Sequence, residues 1–257
     1  MDKYFRESKE RLIVTHTYNL DFPPHIQDEV ELVYMLQGSC SAYCADQHYE
    51  LKAGDCFLVF PEQVHHYQNS RDCVAYLIIV HPKHLEPTQQ MPIHAVYPCK
   101  DEDLKQLLDL TVREYEEQKD KAVVLPLLRA VLGKLLRHYT LTDDPVQDSA
   151  VQQIVRYCSN HYKEPLTVAA VAKALYRSQS YISHTFSEKL KISFSDYVNS
   201  LRLDEAVRLL KLGELSMEQV AELSGFPTTR TFHRAFRNKY GISPRGYKKS
   251  GLKGAFP

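Results

Sequence analysis

The last hundred residues carry one apolar pattern twice, fifty residues apart. Ile182, Phe186, Leu190, Ile192, Ser193 and Tyr197 recur as Phe232, Phe236, Tyr240, Ile242, Ser243 and Tyr247. A spacing of four puts the first three of each set on one helical face. Each set follows a shorter helical stretch, Leu166 to Leu175 and Leu215 to Ser224. A short helix, a tight turn and a second helix make a helix-turn-helix, whose second helix suits the DNA major groove. Two such units in tandem constrain this part of the chain to an all-α fold.

Charge divides along the same line. Residues 150–257 hold 17 Lys and Arg against 8 Asp and Glu, whereas residues 1–149 hold 15 against 24. The formal net charge of zero therefore hides a basic half suited to a polyanion and an acidic half with another task. The start, MDKYFRESKERLIV, has no apolar signal core, and Val74 to Val80 is far shorter than the ~20 residues of a membrane helix. A cytoplasmic protein is expected, without a membrane partner. Cysteines 40, 44, 56, 73, 99 and 158 show no metal-ligand spacing and read as reduced thiols in a core.

Between about residues 12 and 80 the chain reads as short strands: VELVYML, SAYCA, CFLVF and VAYLIIV. Gln37-Gly38, Ala45-Asp46-Gln47 and Lys52-Ala53-Gly54-Asp55 are the turn signals between them, as in a small barrel or sandwich. Two helical stripes follow. Leu104, Leu107, Leu108, Thr111, Val112 and Tyr115 form one; Val124, Leu127, Leu128, Val131, Leu132, Leu135, Leu136 and Tyr139 form the other. Pro126 fits only in the first turn of the second helix. The stripes can pack on the barrel, face a second copy of the chain, or do both. The polar stretch 141–148 is the expected linker. The division is thus 1–141 sensor and dimerisation domain, 142–149 linker, and 150–257 double helix-turn-helix domain.

In the helical half, Thr167, Ser178 and Thr228 are placed as helix caps, and Ser193 with Asp196 and Ser216 with Gln219 as capping boxes. Gly225 ends a helix where a left-handed residue is favoured. The apolar faces leave Gln179, Ser180, Ser183 and His184 outward in the first unit, and Thr229, Arg230, His233, Arg234 and Arg237 outward in the second. Arginine grips a guanine edge or a phosphate with two hydrogen bonds, so the second face is the electrostatic one. The first is polar and suits base edges or water-mediated contacts. Lys248 and Lys249 are placed for backbone contact. A linking helix from Phe194 to Leu212 would span roughly 28 Å, against a DNA turn of about 34 Å.

Leu215-Ser-x-x-x-Val-Ala, Gly225-Phe226, Phe232-x-Arg234-x-Phe236-Arg237 and Gly241-Ile-Ser-Pro244-x-x-Tyr247-Lys248 resemble the AraC/XylS family of transcription regulators. The resemblance covers the C-terminal hundred residues. It implies base contact by the outward residues of both second helices. Tyr176 departs from the pattern, which has a small or polar residue in that turn; tyrosine avoids positive φ, so an altered turn is expected.

The segments PPHIQDEVELVYMLQGS and AGDCFLVFPEQVHHYQN resemble the cupin-like sensor barrel of the same family. Metal cupins have a second histidine where this chain has Gln27, which leaves His25, Glu31 and His65 of the ligand set. Two histidines and a carboxylate can hold a metal with open positions. The resemblance favours a small organic effector and no metal, bound by His25, Glu31, Val33, His65 and Tyr67. His66, His81 and His84 read as surface histidines. A hydroxylated ligand such as a sugar suits such a pocket.

The expected fold is thus α+β: a cupin-like β-barrel with two dimerisation-type helices, then an all-α domain of two helix-turn-helix units on a long linker helix. The expected function is an effector-controlled transcription regulator, an activator, that binds double-stranded DNA. Its expected partners are a second copy, through helices 101–118 and 122–140, and RNA polymerase. The competing reading is a metal-dependent cupin enzyme fused to a DNA-binding domain. A DNA-repair protein would need a cysteine cluster that this spacing lacks.

Overall fold

In this computed structural model, alternation along one long strand separates two cores. The structure describes residues 12–44, 47–85, 91–92, 96–98, 102–118, 120–137, 141–142 and 150–250. Cys99, Tyr139, the Ala45-Asp46 turn and linker residues 143–149 lie outside them. The chain divides into two compact units, one carrying most of the strands with two helices and the other carrying residues 150–250, with which Pro23–His25 are grouped.

The N-terminal strands are β1 (Leu12–Thr17), β2 (Phe22–His25), β3 (Val30–Cys44), β4 (Gln47–Lys52), β5 (Asp55–Val59) and β6 (His65–Val80). Further short strands are β7 (Met91–Pro92), β8 (Val96–Pro98) and β9 (Leu141–Thr142). The main sheet has the order β1-β6-β3-β5-β8, with β2 on β6 and β4 on β3. VELVYML and SAYC are not two strands but one, β3, pairing first with β5 and then with β4. Gln37-Gly38 is therefore no turn. It lies among register shifts in the β3–β6 pairing, and a Cβ on Gly38 (φ +77°) would sit 2.2 Å from the Arg71 carbonyl oxygen. Bulges of this kind bend long strands and let a sheet curl.

Val33, Met35, Ala42, Phe57, Val59, Tyr67 and Ala75 fill the inner face. Val30, Leu32, Tyr34, Cys56, Leu58, Tyr76, Ile78 and Val80 form the outer face, which the helices α1 (Glu102–Glu117) and α2 (Lys121–Leu136) cover. Leu104, Leu108, Val112, Val124, Leu128, Val131 and Leu135 are buried there, so the widest part of both stripes is spent on the barrel. Pro126 falls in the second turn of α2, since Asp120 is the N-cap. The position is exposed, and the Ala122 carbonyl that loses a partner is at an exposed residue too, which limits the cost. The five described cysteines are all buried; burial pushes the Cys44 and Cys158 thiols up to about 12.

The helical unit contains α3 (Ala150–His161), α4 (Val168–Ala174), α5 (Gln179–His184), α6 (Phe194–Leu212), α7 (Met217–Leu223), α8 (Thr229–Tyr240) and α9 (Pro244–Ser250). Thr167, Ser178, Ser193, Ser216 and Thr228 each accept a backbone N–H as N-cap. The Ser216–Gln219 box is complete. At Ser193 the Asp196 side chain instead accepts the serine hydroxyl at 2.7 Å, because aspartate is one methylene shorter than the glutamate of a full box.

Candidate functional site

Both helix-turn-helix units close on phenylalanine. Ile182, Phe186 and Leu190 are buried in the first, and Phe232 and Phe236 in the second. Phe236 lies edge-on to Phe232 and Tyr247, at 5.7 and 5.5 Å. This packing fixes which side of each second helix is left to solvent. Gln179, Ser180, Ser183 and His184 are exposed on α5; Arg230, His233, Arg234 and Arg237 are exposed on α8, with Thr229 half-buried. α8 thus shows three guanidinium groups on one face, while α5 shows none.

Lys248 is exposed, but its ammonium donates to the Leu215 carbonyl at 3.1 Å; Lys249 is exposed. The sequence reading passed over Arg177. It is exposed just before the Ser178 cap, with its guanidinium 5.5 Å from the centre of the exposed Tyr181 ring. A cation next to a cap at the mouth of a recognition helix is the signal that could have found it.

The two turns differ. In the second unit Gly225 takes φ +84° and Phe226, Pro227 and Thr228 follow. In the first, Tyr176 takes φ +53° and the Ser178 cap comes one residue sooner. Tyrosine was expected to avoid this conformation and does not. Its side chain is 95% exposed, so the only cost is backbone strain.

The second unit's Gly225 has no such freedom, because a Cβ there would lie 2.5 Å from Lys163 Cα. α5 also ends early, in a π turn over Thr185–Lys189, where the Leu190 N–H reaches back to the Thr185 carbonyl at 3.0 Å.

α6 carries both units. Twelve of its residues are buried, among them Arg202, Asp204 and Glu205. Arg202 donates to the carbonyls of Tyr162 (2.8 Å) and Glu164 (3.0 Å). Glu205 accepts from Lys163 (2.7 Å) and Arg208 (2.8 Å). Burial would raise its carboxyl, but the Arg208 and Lys163 hydrogen bonds outweigh burial and leave it below the usual range. Asp204 accepts from Lys239 of α8 at 3.0 Å.

In the barrel, His25, Glu31, Val33, His65 and Tyr67 are all buried, and the polar ones converge. One ligand atom from each of His25, Glu31 and His65 lies within 4.8 Å of the others. Tyr67 donates its hydroxyl to Glu31 Oε1 at 2.6 Å, and Gln27 donates to Oε2 at 3.1 Å. His65 Nε2 is 3.6 Å from Oε2. Burial, and then Glu31, hold the Tyr67 hydroxyl well above its ordinary range, so it stays a donor. Each imidazole uses Nδ1 on a backbone carbonyl: His25 on Pro23 and His65 on Gln63, both at 3.0 Å.

Gln27 was read only as a lost ligand. Its place with Glu29 and Glu31 at every second residue could have marked a buried polar row. His66 is not a surface residue. It is 3% exposed, stacked on Tyr43 with centroids 4.3 Å apart, and Tyr43 stacks on His48 in turn. Cross-strand pairing puts these three rings in one row. Burial first, then His65 and His48, lower the His66 ring to about 3. His81 and His84 are half-buried.

Residues 171–250 match the family described as a helix-turn-helix domain, and residues 8–135 match the AraC-like ligand binding domain. The HTH-type transcriptional regulator YijO of Escherichia coli is 31% identical over 150 residues, 57% of this chain and 51% of that protein. The HTH-type transcriptional regulator SAS0078 of Staphylococcus aureus is 20% identical over 228 residues, 84% of this chain and 31% of that protein. The chain therefore spans about half the length of the first relative and about a third of the second. Among solved structures, apo ToxT from Vibrio cholerae aligns with a TM-score of 0.56 at 15% identity, over 95% of this chain and 98% of that one. ToxT with unsaturated fatty acid bound aligns at 0.51, also at 15% identity, over 96% and 98%. This likeness is one of fold: a strand-rich N-terminal unit followed by a helical one.

Proposed function

We propose, from the premise that this chain belongs to the AraC family of helix-turn-helix regulators with an AraC-like ligand-binding domain, that it is a sequence-specific DNA-binding activator controlled by a small effector. The observation that carries the proposal is the paired exposure of α5 and α8. Each is closed behind by buried aromatic or aliphatic residues and open in front with polar or cationic ones. Residues 150–257 are the DNA-binding part and residues 1–141 the sensor, acting in the cytoplasm. Among the described residues no helix is long and apolar enough to cross a membrane. Family membership favours this reading over an enzyme fused to a DNA-binding unit.

The effector enters at Glu31. A buried carboxylate flanked by two imidazoles receives groups that donate protons or positive charge. The hydroxyls of a sugar meet that condition. A fatty acid such as ToxT carries would set its carboxylate against Glu31. Ligand controls DNA binding only by preferring one of two arrangements of the chain. A homodimer through α1 and α2 belongs to the proposal. It is supported by exposed Val123 and half-buried Leu107, Leu132 and Leu136, a smaller surface than the sequence stripe suggested. RNA polymerase is the partner an activator requires.

Selection of bound sequences from a random duplex library tests the reading, with Arg234→Ala alongside the wild type. A two-part consensus is expected, and Arg234→Ala should weaken it by about 1–3 kcal/mol and relax one position. Binding without sequence preference would sink the proposal.

A further inference from the structure

We propose that Tyr176, Arg177 and Tyr181 form a clamp for one sugar-phosphate strand of the DNA, set beside the base-reading face of α5. The inference deepens the DNA-binding reading above and rests on it.

Strain points to Tyr176. Both units place a left-handed residue after their first helix, Tyr176 at φ +53° and Gly225 at φ +84°. A bulky side chain makes that conformation unfavourable, and glycine removes the penalty. The fold gains nothing from the ring in return, because Tyr176 is 95% exposed. Its backbone is held all the same. The Tyr176 N–H donates to the Lys173 carbonyl at 3.4 Å, and the Arg177 N–H to that of Ala172 at 2.9 Å. A strained residue whose side chain is idle in the fold points to work done outside it.

Arg177 and Tyr181 complete the patch. The Arg177 guanidinium carbon lies 5.5 Å from the centre of the Tyr181 ring, and both residues are exposed. Among the described residues no carboxylate pairs with Arg177. Stacking on a ring covers the flat side of a guanidinium and leaves its N–H edge free to donate. Tyr181 is itself pinned, since its N–H donates to the Ser178 cap at 3.1 Å. All three side chains therefore stand on fixed backbone before a ligand arrives.

Position selects the strand over the bases. Tyr181 is one residue from buried Ile182, which turns it about 100° from the core side of α5, onto the flank rather than the front. Tyr176 and Arg177 precede the same end of the helix. A helix about 10–12 Å across fills a major groove about 12 Å wide, so its front meets base edges and its flanks meet the strands. The chemistry agrees. A sugar-phosphate strand alternates an anion with an apolar ring. Arginine forks the phosphate oxygens, a phenol donates its hydroxyl to them, and an aromatic face lies against deoxyribose. A purely apolar partner would leave one guanidinium and two hydroxyls unmatched. The front of α5 carries no guanidinium, so the clamp supplies its anchoring charge from the side.

The test uses the full chain and a duplex carrying the sequence that the wild type selects from the random library. Dissociation constants are read by fluorescence anisotropy over a range of KCl concentrations, on that duplex and on a scrambled one. Thermal unfolding is followed alongside. Tyr176→Gly should melt no lower than the wild type, yet bind the selected duplex at least about fivefold more weakly. Tyr176→Asn, which tolerates the left-handed backbone without a ring, should show the same loss and so exclude backbone freedom as its cause. Arg177→Gln should lower the salt slope by about 1. Tyr181→Phe, lacking only the hydroxyl, should lose about threefold or more. Each variant should weaken on both duplexes alike, since phosphates carry no sequence. Unchanged binding in Tyr176→Gly and Tyr176→Asn overturns the proposal, as does an unchanged slope in Arg177→Gln. Loss confined to the selected duplex would place the patch on base edges and overturns it too. A wild type that prefers no sequence would defeat the regulator reading and the clamp together. A wild type that prefers one, with variants that match it, defeats the clamp alone.

Discussion

The position where the two helix-turn-helix turns part company gives the sharpest test of the structure. Gly225→Ala adds one methyl group to a residue at φ +84°. A side chain in the left-handed region costs about 1–2 kcal/mol. The added Cβ also has nowhere to go. It would lie 2.5 Å from Lys163 Cα and 3.0 Å from the carbonyl oxygens of Tyr162 and Lys163. That loop cannot retreat cheaply, because Arg202 donates to the Tyr162 and Glu164 carbonyls that flank it. Forcing extra volume against such a surface costs about 1–3 kcal/mol more. The combined loss is about 2–5 kcal/mol. A domain near one hundred residues loses about 4–8 °C per kcal/mol, so the helical unit should melt at least ~8 °C lower.

Thermal unfolding followed by far-UV circular dichroism reads this directly. The matching change in the first unit, Tyr176→Gly, sets the control. Tyr176 is 95% exposed at φ +53°, with strain to relieve. Glycine's extra freedom in the unfolded chain offsets about 0.5–1 kcal/mol of that relief. The net effect should lie between zero and about 1.5 kcal/mol of stabilisation. A Gly225→Ala shift under about 3 °C, or equal losses from both changes, would refute the reasoning.

His66 makes the barrel unit acid-sensitive. Its ring titrates at about 3 when folded, below its ordinary 6.5. A lowered folded value contributes stability that is full above the unfolded value and is lost as pH falls from there toward about 3. The loss should be roughly 1 kcal/mol between pH 6.5 and 5.5. Urea midpoints across that range should show it, and His66→Phe, which keeps a ring on Tyr43, should flatten it. Lys249→Glu should reduce the salt slope of DNA binding by at least about 1 if Lys249 meets a phosphate, with little change in sequence preference. A slope equal to the wild type's would remove Lys249 from the interface.

Where side-chain period alone decides the outcome, the fold was legible from residue order. Alternation from Glu31 correctly sends Val33 and Met35 inward, and the fourfold spacing of Phe232, Phe236 and Tyr240 correctly turns the arginines of α8 out. The span of α6 follows from its cap at Ser193 and from Gly213, which is left-handed. Effects that depend on a distant neighbour were not legible. Gly38 looks like a turn until the Arg71 carbonyl is known to press on it. His66 looks exposed until Tyr43 is paired beside it. Tyr176 was judged by propensity alone, yet the backbone hydrogen bonds closing the end of α4 hold it left-handed, with the Arg177 N–H reaching the Ala172 carbonyl at 2.9 Å. At the barrel site the residue types were readable, but the direction of each imidazole was not.

α6 has a consequence for the DNA as much as for the protein. Its buried Arg202 and Glu205 grip the loop after α3, and its buried Asp204 grips α8 through Lys239. Two readers on a slack tether could follow their targets when the gap between them changes. Two readers welded to one rod cannot. A single base pair inserted between half-sites moves the far one by about 3.4 Å and swings it about 35° around the duplex. The gap in an operator should then be as stringent as its letters. A search for target genes should hold that gap fixed while letting the bases vary, most freely under the uncharged face of α5.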